Sequence, residues 1–163
     1  MLSAHTSARP QPTWSELLAR GNFRAVREAA EARGVDAVLG HGSLPDLVAL
    51  ADSARYLHER GLAQRGLLAE RARFASSAEA RAAAFVLGRM ADDGGARADA
   101  IRWYDIYLAE SPRGAFAAEA LGRKLVALVE TGNLTQAHAA AAAYLQRFPH
   151  GPHAAYAHDH AAP

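Results

Sequence analysis

Apolar and polar positions along this chain alternate in blocks with a helical period. Leu47, Ala51 and Ala54 fall on one face of a helix, and so do Leu121, Leu125 and Leu128. No run of β-branched residues repeats with period two, so no sheet is expected. The blocks themselves recur. "RGNFRAVREAA" (20–30) and "TGNLTQAHAAA" (131–141) both set Gly-Asn and an apolar residue before an alanine-rich stretch. Gly21 and Gly132 lie three periods of 37 residues apart; Gly95 falls one period before Gly132, and His58 one period after Gly21. Pro112 and Pro149 keep the same spacing, as do Tyr107-Leu108 and Tyr144-Leu145. A fixed period of this length marks one supersecondary unit repeated along the chain.

Each unit reads as two helices. The second helices are expected at 22–33, 62–74, 97–110 and 133–148, and the first at 13–20, 44–59, 78–92 and 115–130. A ninth begins at Pro152. The caps agree with these starts: Thr13 with Glu16, Ser76 with Glu79 and Asn133 with Gln136 offer side-chain acceptors to orphan N–H groups, Ser43 precedes Pro45, and Gly151 precedes Pro152. The expected organisation is a disordered tail (1–12) and one repeat domain (13–160). Its units are 13–42, 43–77, 78–114 and 115–151, with a capping helix at 152–160.

Composition narrows the function classes. Half of the 163 residues are apolar, enough for a core, and much of that is alanine, which suits helices in close contact. A net charge of +1 gives no nucleic-acid or membrane signature. The absence of cysteine excludes disulfides and thiolate metal sites. The first residues lack a basic n-region and an apolar h-region, and no window approaches a membrane span. The expected location is cytoplasmic for the chain as written, or periplasmic if it is part of a longer exported protein.

In the third unit Gly88, Gly95, Ala100, Tyr104 and Pro112 stand where a tetratricopeptide repeat has its small, turn, alanine, aromatic and terminal-proline residues, and Leu87 precedes Gly88 as that pattern wants. The unit resembles that family. The three residues beyond its usual length of about 34 are placed at 78–80 and 115–117. "SPRGAFAAEALGR" and "FPHGPHAAYA" are similar to bacterial periplasmic members. The stretch from 14 to 157 looks like the C-terminal repeat region of deltaproteobacterial anti-sigma-type proteins of the iron-transport regulator class. The resemblance implies an all-α, right-handed superhelical solenoid of about four hairpins plus a C-terminal helix. It implies a non-catalytic scaffold that binds a partner's peptide or helix on a concave face lined by the first helices. The alternative is a regulatory or sensory repeat domain of a membrane-linked anti-sigma-type or envelope-assembly system. No direct membrane insertion is expected, and homo-oligomers through the stack ends are possible.

The candidate partner-binding residues on the first helices are Asp52, Arg55, Tyr56, Phe85, Arg89, Asp92, Glu119, Arg123 and Glu130. Arg55, Arg89 and Arg123 recur 34 apart and form a ladder able to grip carboxylates. The competing reading pairs them with Asp52, Asp92 and Glu119 on a solvated face, which the i, i+4 spacing of Glu119 and Arg123 favours. The Lys and Asn with which some members clamp a partner's C-terminal carboxylate are replaced by Pro45, Val48, Asp52, Ala82, Phe85 and Arg89, so that clamp is not expected.

The aromatic cluster at 103–108 reads as core, with Tyr104 and Tyr107 on packing positions and Trp103 partly exposed, and Trp14 and Phe23 read as anchors of the first hairpin. His150, His153, His158 and His160 near the end are the residue type that binds zinc, but their spacing on a helix is poor and a solvated tail is expected. No nucleophile elbow, P-loop or zinc-protease motif occurs, so neither catalysis nor a cofactor is expected.

Overall fold

A computed structural model describes residues 11–161, and all of their regular structure is helical. The helices are α1 (Trp14–Ala19), α2 (Phe23–Arg33), α3 (Val35–His41), α4 (Leu44–Tyr56), α5 (Arg60–Arg73), α6 (Ala78–Asp93), α7 (Arg97–Glu110), α8 (Ala117–Glu130), α9 (Leu134–Arg147) and α10 (Ala154–His160). Most of the expected tail, 1–12, lies outside the described residues. The chain divides into two compact units, up to residue 66 and from residue 67 onward, with the boundary inside α5. In the first unit α2 packs on α1, α3 and α4, and α4 also meets α1 and α3. In the second, neighbours pack in chain order: α6 on α7, α7 on α8, α8 on α9 and α9 on α10.

The 37-residue period reappears in the backbone. After α1, α4, α6 and α8 the chain enters the left-handed region at Gly21, His58, Gly95 and Gly132, with φ of 70, 60, 78 and 73°. The following N–H reaches back across the helix end each time: Asn22 to Leu17 (2.9 Å), Glu59 to Ala54 (2.8 Å), Ala96 to Ala91 (2.9 Å) and Asn133 to Leu128 (2.9 Å). This is the bond of a Schellman ending, which satisfies orphan carbonyls and reverses the chain. The second helices therefore start in step, at 23, 60, 97 and 134. His58 alone bears a side chain at this position, where an L-residue costs about 1–2 kcal/mol. Replacing His58 by Gly is expected to stabilise the protein by about 1 kcal/mol, less the entropy of the added glycine. Urea unfolding checks this; an unchanged or lower midpoint would contradict it.

Packing follows the same step. Val26, Ala63, Ala100 and Ala137, one period apart, are all fully buried. Bulk is traded between hairpins in the second unit. Gly88 of α6 faces Tyr104 of α7, and a Cβ there would come within 2.6 Å of the Tyr104 ring. One period later Leu125 and Ala141 share a core cluster, so the large residue has changed helix. The tyrosines at 107 and 144 close the next joint in the same way. Their hydroxyl oxygens accept the N–H of Phe116 and of His153, each at 3.0 Å, which orients the start of α8 and of α10.

Several expectations shift. Residues 35–41 form a helix, α3, where a connector was expected: Gly34, at φ 84°, breaks the chain after α2, and Val38 is then buried. Helices α8 and α10 start at Ala117 and Ala154 rather than 115 and Pro152, because Pro112-Arg113-Gly114 and Pro149-His150-Gly151 turn first. Ser77, not Ser76, caps α6; its hydroxyl accepts the Ala80 N–H at 3.0 Å. The extra residues 78–80 are thus the first turn of α6. The capping box of Thr13 and Glu16 forms as expected, and Asn22, Ser43 and Asn133 cap their helices.

Candidate interaction surface

The second unit holds six of the nine candidate residues, and four of them meet. Asp92, in the last turn of α6, is the centre, its side chain only 14% exposed. It receives Arg97 of α7 at 2.5 Å and Arg123 of α8 at 3.3 Å. The buried Tyr104 hydroxyl donates to it at 3.4 Å. Arg123 also holds Glu119 at 2.6 Å, and Arg97 holds Glu130 at 2.5 Å. Three helices are thereby tied at one point by alternating charges. Burial, and then the negative charge of Asp92, push the Tyr104 phenol above its ordinary value. Because the folded value lies above the unfolded one, the neutral phenol's contribution is complete below about pH 10 and is lost as pH rises further. Thermal stability is expected to fall above that pH, and the fall to shrink in Tyr104→Phe; an unaltered alkaline limb would contradict this.

Two of the three ladder arginines already hold carboxylates. Their 34-residue spacing drifts three residues per repeat against the structural period. Arg55 is therefore in step with Asp92 rather than with Arg89. Arg55 binds Asp52 at 2.8 Å within the first unit, and Arg123 is taken by Asp92 and Glu119. Arg89 is exposed and has no ion-pair partner among the described residues.

Phe85 is a second correction. It was expected to face a partner, yet it is 4% exposed. Phe116, just before α8, lies flat on it, ring centroids 4.6 Å apart and planes 4° from parallel. Phe116 itself stays 40% exposed. The sequence places Phe116 inside a helix beginning at 115, whereas it lies in the turn before α8, from which its ring reaches α6. The signal was the 37-residue step: Phe116 corresponds to His153, and Phe85 to Gly122. His153 lies where a Gly122 side chain would stand, so one ring fills at that joint what two share at the other.

In the first unit Tyr56 is 66% exposed and stacks on Phe23 at 3.8 Å. Trp14 is half-buried beneath the Arg33 guanidinium, 5.1 Å from its ring. Of the histidines near the end, His150 and His158 are exposed, whereas His153 is packed against α8 and Tyr144 and His160 stacks on Tyr156. Among the described residues no cluster of His, Asp and Glu is arranged to hold a metal ion. No helix among them is long and apolar enough to cross a membrane. No protein-family model, curated protein or solved structure matches the chain.

Proposed function

We propose that this chain is a non-catalytic protein-interaction module of tetratricopeptide-like hairpins, and that the α6–α8 surface around Phe116 and Arg89 takes a peptide or helix of a partner protein. The observation that carries the reading is the exposed Phe116 ring, held flat on buried Phe85. An aromatic side chain already fixed by stacking loses little entropy when a partner covers it, and such anchors dominate interface energetics. Arg89 lies one turn beyond Phe85 on α6 and has no internal carboxylate to satisfy it. The charge cluster at Asp92 supports the reading by fixing α6, α7 and α8 relative to one another. The fitting partner segment presents an apolar side chain to Phe116 and an acidic one to Arg89.

The test is capture from lysate and envelope fractions of the source organism, with Phe116→Ser/Arg89→Glu beside wild type. The variant is expected to keep its helical circular dichroism and to retain about tenfold less of the partner. Equal retention by both proteins would remove the site from this surface.

A further inference from the structure

A cleft of about 370 Å³ opens between the turn after α7 and the end of α9. It is lined by Pro112, Arg113, Gly114, Ala117, Arg147 and Phe148. Its only charged lining residues are the two arginines, both exposed. Neither has an ion-pair partner among the described residues, whereas Arg71, Arg97, Arg102 and Arg123 of the same unit each hold a carboxylate. Arg147 is nevertheless held in place. It donates to the Pro112 carbonyl oxygen, and its guanidinium lies over the Phe148 ring, 5.1 Å from the centroid. The cleft thus sets two uncompensated positive charges, one of them fixed, beside the apolar surface of Pro112, Ala117 and Phe148.

We infer that this cleft is a second binding site, which takes a carboxylate group of a peptide with an apolar side chain next to it. Charge complementarity calls for an anion. A planar guanidinium matches a carboxylate in two parallel hydrogen bonds, and one held by stacking gives up little freedom on binding. The apolar half of the lining suits a peptide better than a small inorganic anion, which leaves that surface wet.

The probe is a fluorescein-labelled, amide-capped peptide of alternating leucine and glutamate, followed by anisotropy at low salt, with a glutamine counterpart as control. A third peptide, of leucine with a free C-terminus, shows whether the carboxylate comes from a side chain or from a chain end. The full-length protein is expected to bind at least one carboxylate peptide and not the glutamine one. In the Arg89→Glu background, which disables the α6–α8 surface, Arg113→Gln and Arg147→Gln should each weaken binding about tenfold, while Arg102→Gln leaves it unchanged. Arg113 is exposed and has no ion-pair partner among the described residues, so its variant stays informative if Arg147→Gln loosens the fold. Unchanged affinity on adding Arg113→Gln, equal binding of the glutamine peptide, no binding at millimolar concentration, or full displacement by equimolar inorganic phosphate would each overturn the inference. No remaining binding in the Arg89→Glu background would assign the peptide to the α6–α8 surface alone and overturn it equally.

Discussion

Truncating Tyr104 to Ala is expected to destabilise the protein by about 3–5 kcal/mol, the range for removing a buried aromatic ring. Tyr104 is fully buried, in a cluster with Ala84, Phe85, Ala100 and Tyr107, and its ring edge rests on Gly88. Four of its six buried cluster neighbours are alanines, which cannot extend into the space, and Phe85 and Tyr107 are already stacked or packed in place, so much of the cavity stays open. Asp92 also loses one donor but keeps Arg97 and Arg123, so the packing term dominates. The next hairpin shows how the loss can be repaired. Leucine at 125 and alanine at 141 occupy the positions of Gly88 and Tyr104 one period on. Gly88→Leu added to Tyr104→Ala should therefore recover a substantial part of the loss, although Gly88→Leu alone clashes with the ring. Chemical denaturation of the two single variants and the double one measures this. Additive losses would mean that the two hairpins do not solve one packing problem in two ways.

The second large effect is expected at Gly122. A side chain there would overlap the His153 ring, and the Cβ alone is enough. The ring cannot move freely, because the His153 N–H is held by the Tyr144 hydroxyl and Ala157, one turn on, is fully buried. Gly122→Ala is expected to cost about 1–3 kcal/mol as an overpacked core substitution, and to loosen α10 from α8 first. Hydrogen exchange should rise in 154–160 before it rises in α8. His153→Ala in the same chain should restore protection. If it does not, the glycine serves something other than room for the ring.

Much of the fold was legible because its period is carried by residues with a backbone reason to recur. Gly21, Gly95 and Gly132 are needed where φ is positive, and Pro112 and Pro149 where a helix must stop. Those signals placed the second helices to within two residues. Helix α3 was hidden because seven residues around Val38 carry too little periodicity to distinguish a helix from a connector. Of the candidate residues, Asp92, Glu119, Arg123 and Glu130 could be anticipated from charge and helix spacing, and they do converge. Arg55 stands 37 residues before Asp92, so the 34-residue spacing of the arginines does not follow the period of the hairpin turns. Phe85 was misplaced and Phe116 overlooked for one reason: the turn between Pro112 and Ala117 carries a ring onto α6, and nothing in helix periodicity reports where a turn residue lands.

The most direct test of the interaction surface is photo-crosslinking in the source cells, with a photoreactive phenylalanine at position 116 and, separately, at exposed Ala139 of α9. A protein adduct is expected from position 116 that is absent from position 139 and is lost when Arg89→Glu is added. Adducts equal at both positions, or none from position 116 in folded protein, would contradict the assignment of partner binding to the α6–α8 surface.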